Sequence, residues 1–263
     1  METKKKYRTG FVLSGGGARG YAHLGFIKAL NEEGIFPDII SGTSAGAIAG
    51  SLVADGYSPD EILEFLSTGN RLDFMRPTLP REGLLQISGF IKMLKDHLRA
   101  TNFKDLKIPL YVTATDINNG KVVYFSEGNL IEAVSASMSI PVLFQPVTIG
   151  KIQYVDGGVT DNLPVYPVED KCRYLIGSFV NPVGYVEKLS GLINIAERTF
   201  MLSMAKEVAE KKEKFDLLVA PPDLRNYGIL EQEKAEELFI VGYKATKEKL
   251  RDKSIRKKLG LFP

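Results

Sequence analysis

The chain has 263 residues, of which 44% are hydrophobic and 25% are charged, a composition typical of a globular protein large enough for one sizeable α/β domain. Its formal net charge of +2 is too small to indicate nucleic-acid binding, and its single cysteine, Cys172, excludes an intrachain disulfide. We therefore expect no nucleic-acid partner, a cysteine that packs in the interior, and a protein not built for an oxidising compartment.

Basic residues concentrate at the two ends of the chain. Residues 4–8 read Lys-Lys-Lys-Tyr-Arg, and residues 244–258 hold eight Lys or Arg against Glu248 and Asp252. This pattern predicts either a solvated helix face with a frayed terminus or peripheral contact with an anionic membrane surface. The sequence shows no signal peptide and no apolar run long enough to span a bilayer, which favours a cytoplasmic location.

The first fifty residues carry a strand-helix-strand-helix pattern. The apolar run at 11–13 ends in glycines and is followed by apolar residues at helical spacing, which predicts a strand, a tight turn and a helix. Gly34 and Pro37 close that helix. Residues 39–40 then predict a second buried strand, and the alanine-rich segment 45–54 predicts a second helix.

The middle of the chain contains a helix start, an apolar segment and a hairpin. Residues 58–61 read Ser-Pro-Asp-Glu, a helix start with a serine cap and a proline in the first turn. Residues 84–98 are largely apolar and predict a core helix or, alternatively, a mobile flap. Residues 118–120, Asn-Asn-Gly, supply the positive φ angles of a hairpin turn between strands at 110–114 and 122–125.

The remaining segments continue the alternation of strands and helices. They are a short helix, two strands, a long helix, a strand and a last helix, at 130–138, 153–155, 174–180, 193–212, 216–220 and from about Glu231. This alternation predicts an α/β fold with a mainly parallel sheet covered on both faces. Because no repeat or low-complexity linker divides the chain, we expect a single domain over residues 1–263, with a core at about 9–170 that the C-terminal strands and helices complete.

A candidate nucleophile lies between the second strand and the second helix. Gly42-Thr43-Ser44-Ala45-Gly46 matches Gly-x-Ser-x-Gly, in which the glycines let the backbone turn sharply and expose the serine hydroxyl. The flanking strand and helix are the context that such a nucleophile elbow requires, and the helix N-terminus favours negative charge near Ser44. The alternative is that Ser44 only caps the helix.

A glycine-rich loop follows the first strand. Its candidate oxyanion-hole residues, which come directly after Ser14, are Gly15, Gly16, Gly17, Ala18, Arg19 and Gly20. Glycines allow close approach, and successive N–H groups can converge on a developing oxyanion. The loop also matches the dinucleotide-binding pattern Gly-x-Gly-x-x-Gly, but the second strand then leads into the serine motif where that pattern needs an acidic residue. It also lacks the Gly-Lys-Ser/Thr of a phosphate-binding P-loop.

The chain offers few general bases for Ser44. Neither of its two histidines, His23 and His97, fits the order serine, acid, histidine of the α/β-hydrolase triad. We expect His97 to face solvent and His23 to hold the glycine loop, with a direct role of His23 as base as the alternative. Asp156 is the better candidate, because burial can raise the pKa of a carboxylate enough for it to accept a serine proton. A plain Asp-Gly-Gly turn is the alternative at this position.

These three motifs, in this order, resemble the patatin-like phospholipases, and the resemblance to the bacterial branch covers nearly the whole chain. The matching segments are 14–20, 42–46 and Asp156-Gly157-Gly158. Further agreement comes from Ser-Ala-Ser at 135–137 before Pro141 and Phe144, and from Asp-Leu at 223–224 followed by Gly-Ile-Leu at 228–230 and an acidic helix. Three ordered motifs are far more specific than any single one.

The resemblance implies a three-layer α/β/α fold and a Ser-Asp dyad that hydrolyses lipid acyl esters without a metal or another cofactor. By the same resemblance, Ser44 is the nucleophile, Asp156 the base and the loop of residues 15–17 the oxyanion hole. Arg19 matches an arginine frequent in that loop, where it either steadies the loop or meets an anionic head group; a surface position is the alternative. Family loops often begin with aspartate where this one has Ser14, a departure that removes no N–H donor. A catalytically silent lipid-binding module and a dinucleotide-binding protein are the alternative functions.

Overall fold

The computed structural model describes residues 5–68, 76–77 and 85–261. Its strands are β1 Tyr7–Leu13, β2 Ile39–Thr43, β3 Arg76–Pro77, β4 Leu85–Gln86, β5 Leu110–Asp116, β6 Lys121–Phe125, β7 Val147–Ile149, β8 Ile152–Asp156, β9 Cys172–Ser178 and β10 Leu217–Val219. Its α-helices are α1 Tyr21–Asn31, α2 Ala45–Asp55, α3 Pro59–Thr68, α4 Ser88–His97, α5 Leu130–Ser137, α6 Leu192–Lys211, α7 Ala235–Leu250 and α8 Lys253–Lys258.

The main sheet of the described residues has eight strands in the order β10-β9-β1-β2-β5-β8-β7, with β6 paired to β5. Strands β10, β9, β1, β2 and β5 are mutually parallel. Strands β6 and β8 are antiparallel to β5, and β7 is antiparallel to β8. The expected α/β fold with a mainly parallel sheet flanked by helices is thus confirmed.

Strands β2 and β8 pair with the same edge of strand β5, one after the other. Residues 112–116 of β5 pair with β6 along one edge. The other edge pairs with β2 as far as Thr113, opposite Thr43, and then with β8 from Ala114, opposite Asp156. Strand β8 therefore enters the sheet where β2 leaves it, which places Asp156 beside the residue that follows Thr43.

Apolar residues fill both faces of the sheet. Phe11 and Leu13 pack with residues of α1, α2 and α7 in the larger core cluster. The intervening Val12 points to the opposite face, where it packs with Leu163 and with Phe215 beside the end of α6. Cys172 lies in that second cluster and is buried, as expected.

Most elements lie where the sequence places them, and a few boundaries differ. The Asn-Asn-Gly hairpin is confirmed, with Gly120 at φ 64°. Within the segment 84–98, Leu85–Gln86 form β4 and Ser88–His97 form α4, which buries Met93 and Leu94 against the larger core cluster. Residue 84 lies outside the described residues, as does Lys4 of the N-terminal basic run. The last long helix begins at Ala235, because a 3₁₀ turn at Gln232–Lys234 precedes it.

No helix in the described part of the chain combines the length and apolar character needed to cross a bilayer.

Candidate active site

Ser44 occupies a sharp turn between β2 and α2. Its backbone angles are φ 52° and ψ −117°, a strained conformation for a residue with a side chain. A Cβ on Gly42 would collide with the backbone of Gly46, and a Cβ on Gly46 would collide with the backbone of Leu13. The Ser44 hydroxyl makes no capping hydrogen bond to α2. The turn therefore has the geometry of a nucleophile elbow, and helix capping does not account for the serine.

The residues beside Ser44 are held by neighbouring elements. The Ser44 amide donates to the Ser137 hydroxyl at 2.8 Å, which explains one serine of the Ser-Ala-Ser motif at the end of α5. The Thr43 hydroxyl donates to the backbone oxygen of Asp161 at 2.9 Å. Ala45 packs so closely against the glycine loop that a Cβ on Gly20 would lie 2.5 Å from its own Cβ. The elbow is thus held by two hydrogen bonds and by close packing against the glycine loop.

Asp156 lies at the end of β8 and is 1% exposed. Burial raises the pKa of its carboxyl from 3.8 to about 7, although hydrogen bonding from the Ser44 side chain and from the Gly158 amide lowers it. Oδ1 accepts the Gly158 amide at 2.7 Å, and Oδ2 makes no hydrogen bond of ordinary length to any described residue. The contact with Ser44 is therefore a long one, as catalytic contacts often are before substrate binds.

The Asp-Gly-Gly turn needs both glycines for close packing. A Cβ on Gly157 would collide with the carbonyl group of Thr113, and a Cβ on Gly158 would lie 2.9 Å from the Met204 sulfur. The turn consequently sits tightly between β5 and α6. An ordinary surface turn would not require this fit.

The glycine loop lies beside Ser44, and several of its amides already make hydrogen bonds. The Gly15 amide donates to both the side-chain and the backbone oxygen of Asn162, at 3.1 and 3.2 Å. The Ala18 amide donates to the Ile229 carbonyl at 2.7 Å, and the Arg19 amide to the Gly16 carbonyl at 3.2 Å. Among the described residues, no acceptor takes the amides of Gly16 and Gly17. These two N–H groups are the loop's available donors.

His23 is hydrogen-bonded to Ser14, at the start of the glycine loop. It is fully buried, and its Nε2 lies 2.8 Å from the Ser14 carbonyl oxygen while its Nδ1 lies 2.9 Å from the Ser178 hydroxyl. A carbonyl only accepts, so Nε2 carries the proton and Ser178 donates to Nδ1. Burial lowers the pKa of His23 to about 4, so the ring is neutral. Both ring nitrogens are occupied, which fits the expected holding role and leaves none for a base.

His97 and Arg19 are both more enclosed than a surface position would make them. His97 is half-buried, since its ring stacks on that of Phe65 with centroids 4.5 Å apart, so the expectation that it faces solvent holds only in part. Arg19 is not a surface residue, since it is 4% exposed and its Nε donates to the Tyr227 carbonyl at 2.8 Å. Burial lowers the pKa of Arg19 to about 10, and Glu197 opposes this shift. Arg19 thus steadies the loop against the segment around Tyr227.

A buried polar pair, Asp161 and Asn162, was not predicted from the sequence. Asn162 holds the Gly15 amide, while the Asp161 carboxylate accepts Lys211 Nζ at 2.7 Å and the Tyr124 hydroxyl at 2.5 Å. Both side chains of the Asp161–Lys211 ion pair are nearly inaccessible. The signal in the sequence was two polar residues in front of the apolar run that starts at Leu163. This pair joins the elbow, the glycine loop and α6.

Three neighbouring cavities, whose volumes include open solvent, lie beside Ser44 and along α2. A cavity of about 230 Å³ is lined by Ser44, Asp156 and the glycine loop. A second of about 420 Å³ also reaches Ser44, and its apolar lining residues are Ala45, Ile48, Phe90, Met138, Ile140, Phe144, Ile229 and Leu230. A third of about 460 Å³ continues past Ile48 and Phe90 to Leu24 and Leu66. Ser44 is therefore bordered by predominantly apolar cavities.

Known sequences match the chain over the segment that holds these motifs. A family model described as "Patatin-like phospholipase" matches residues 11–168. Lysophospholipase NTE1 of Kluyveromyces lactis is 30% identical over 266 residues, which cover 89% of this chain and 18% of that protein. An uncharacterised NTE family protein of Mycobacterium tuberculosis is 34% identical over 164 residues, 61% of this chain and 45% of that protein. The chain thus spans less than half the length of these curated relatives.

A solved structure shares the architecture at low sequence identity. VipD from Legionella pneumophila superimposes with a TM-score of 0.53 at 16% identity, covering 94% of this chain and 67% of that chain. At this identity the likeness concerns the fold alone. It agrees with the mainly parallel sheet flanked by helices.

Proposed function

Since the chain belongs to the patatin-like phospholipase family, we propose that it is a carboxylic ester hydrolase that cleaves lipid acyl esters through an acyl-Ser44 intermediate. The observation that carries this proposal is the pairing of a serine on a strained elbow with a buried carboxyl group. Burial raises the pKa of Asp156 to about 7, and Ser44 lines the same cavity as this carboxyl. A base with a pKa near neutrality is well matched to work at neutral pH.

The proposed reaction has two halves that use the same pair of residues. As Ser44 Oγ bonds to the ester carbonyl carbon, its proton passes to Asp156 and the carbonyl oxygen becomes negative. The C–O bond to the alcohol then breaks, and the alcohol oxygen takes the proton from Asp156. In the second half, a water loses a proton to Asp156 as its oxygen attacks the acyl carbon. The bond between the acyl carbon and Ser44 Oγ then breaks, Oγ takes the proton from Asp156, and a free fatty acid leaves.

The negative oxygen needs donors that point at it before the reaction starts. The amides of Gly16 and Gly17 are the loop donors without an acceptor among the described residues. A well-placed donor of this kind lowers the barrier by roughly 3 kcal/mol. The N-terminus of α2, which begins at Ala45, adds its positive dipole end beside Ser44. No metal or other cofactor is needed in this scheme.

The apolar cavities beside Ser44 support the proposal that the protein binds the acyl chain of a lipid substrate. Ile48, Phe90 and Phe144 line the cavity that reaches Ser44, and none of its described lining residues is charged. Burial of methylene groups there contributes about 0.8 kcal/mol each. The lysophospholipase relatives are consistent with this class of substrate.

The two alternative functions fit the site less well. A dinucleotide-binding loop presents its amides to a pyrophosphate, whereas here Gly15, Ala18 and Arg19 donate theirs to protein oxygens. A catalytically silent lipid-binding module would have no need for a strained serine or for a carboxyl with a raised pKa. Both features cost stability, and such costs are typical of catalytic sites.

Hydrolysis of a soluble chromogenic acyl ester tests the proposal. Ser44→Ala and Asp156→Asn are each expected to reduce turnover to background without loss of the fold. Ser51→Ala, on the far part of α2, and Asp116→Asn, at a hairpin turn, are matched controls and should retain wild-type turnover. Near-normal turnover in either dyad variant would show that the assignment is wrong.

A further inference from the structure

Exposed apolar side chains concentrate in one segment of the protein. Six of the thirteen large exposed apolar residues in the described chain lie within residues 185–202, and they are Tyr185, Val186, Leu189, Leu192, Ile195 and Leu202. Tyr185 and Leu192 are 91% and 78% exposed. We call this set the outer face. Clusters of this kind on an otherwise polar surface mark interaction sites.

The outer face lies on the opposite side of α6 from the candidate active site. Leu192, Ile195 and Leu202 recur at helical spacing on the solvent side of α6. Phe200 and Met204, on the other side of the same helix, line the cavity that holds Ser44 and Asp156. The preceding loop is tied to the helix by Arg198, whose Nη2 donates to the Gly184 carbonyl at 2.6 Å. The outer face and the wall of the site are therefore parts of one unit.

Helix α6 extends well beyond the carboxyl edge of the sheet. Met204 is level with the Asp-Gly-Gly turn, since its sulfur would lie 2.9 Å from a Cβ on Gly158. Residues 192–203 precede it in the helix and reach roughly 18 Å further, at 1.5 Å per residue. The outer face thus lies at the same edge of the sheet as Ser44 and Asp156, on the part of α6 that extends past them.

The basic ends of the chain lie at the other edge of the sheet. Lys247 and Arg256 pair with Glu33, which follows α1 and precedes the start of β2. Lys258 pairs with Asp216, directly before the start of β10. A membrane bound through these ends would therefore meet the edge remote from Ser44, and several of the charges are already neutralised.

We propose that the outer face docks on a zwitterionic lipid surface and so brings the site to its substrate. This inference rests on the proposed lipid hydrolase function. Residues 185–202 contain two acidic and two basic residues, Glu187, Glu197, Lys188 and Arg198, so their net charge gives anionic lipid no advantage. Apolar side chains that are flanked by polar and aromatic residues partition into the region between the lipid head groups and the acyl chains.

Flotation with phosphatidylcholine vesicles tests the inference. The test variant is Leu192→Asp/Ile195→Asp, because acidic residues in the first turn of a helix leave α6 stable. The control is Phe36→Asp/Ile240→Asp, which makes the same charge change at side chains that are 59% and 47% exposed and far from the site. We expect the test variant to bind vesicles at least about tenfold more weakly, from the loss of two large apolar side chains. The control should bind like the wild type.

Two further measurements distinguish apolar docking on lipid from a catalytic defect and from binding by charge. Turnover of the soluble ester should be unchanged in the test variant, so a defect seen only with vesicles reports a defect in docking. If the wild type did not hydrolyse the soluble ester at all, the proposed function itself would be refuted. Raising the salt from about 0.1 to about 0.5 M should leave vesicle binding unchanged. The inference would be overturned if salt abolished vesicle binding, if the control lost as much binding as the test variant, or if the wild type did not bind vesicles. It would also be overturned if the wild type formed a dimer without binding vesicles and the test variant were monomeric.

Discussion

Asp156→Asn should stabilise the protein while it abolishes turnover, and the stabilisation should depend on pH. In the wild type, burial raises the pKa of this carboxyl from 3.8 to about 7. The folded state therefore holds the proton more tightly than the unfolded state. Its stability falls as the pH rises from the unfolded value through about 7, because folding must then bury an ionised carboxylate. Asparagine carries no charge and still accepts the Gly158 amide.

The size of the effect follows from the pKa difference. A difference of about 3 pKa units corresponds to about 4 kcal/mol once the carboxyl is ionised in both states. Part of this cost is already present at pH 5, where the unfolded carboxyl is ionised. Between pH 5 and pH 8 the stabilisation by Asp156→Asn should therefore grow by roughly 2 to 3 kcal/mol.

Urea unfolding at several pH values measures this growth. Asp116→Asn is the matched control, because hydrogen bonding from Asn119 lowers the pKa of Asp116. Its carboxyl is therefore ionised in both the folded and the unfolded protein throughout this pH range. Its effect on the free energy of unfolding should not change with pH. A stabilisation by Asp156→Asn that is the same at pH 5 and pH 8 would refute a buried carboxyl of raised pKa.

Three more predictions follow from the same site. Turnover of a soluble ester should rise about tenfold from pH 6 to pH 8, as the ionised fraction of Asp156 grows from about 9% to about 91% around its pKa of about 7; a flat profile would exclude it as base. Lys211→Met should destabilise the fold by about 3–5 kcal/mol in urea because it strands the buried Asp161 carboxylate, and Asp161→Asn/Lys211→Met should recover most of that loss; no recovery would contradict the ion pair as the cause. Asn162→Ala should lower kcat about tenfold with KM unchanged, because the Gly15 amide loses its side-chain acceptor; a change in KM alone would argue against a positioning role.

The local parts of the site could be predicted from the sequence. Residues 14–20 and 42–46 are each contiguous, so the strand, turn and helix that shape them are set by neighbours along the chain. Glycines at positions without room for a Cβ, such as Gly42 and Gly46, carry that information directly. The parallel sheet followed in the same way from the alternation of strands and helices.

The remaining features depend on contacts between distant segments. Asp156 reaches Ser44 because β8 takes over the edge of β5 that β2 leaves, and no local pattern encodes that register. The sequence left two roles open for Arg19 and placed His97 in solvent, because it does not show that the Tyr227 carbonyl and the Phe65 ring are their partners. Propensity along the chain does not report such partners.

The proposal that Ser44 is the nucleophile can be tested most directly by covalent capture with a fluorophosphonate probe. The intact mass should rise by one probe per chain, and peptide mapping should place the adduct on Ser44. Ser44→Ala should not label, and Asp156→Asn should label much more slowly, because Ser44 has lost the group that accepts its proton. An unlabelled wild type, or an adduct on another residue, would contradict the proposed mechanism.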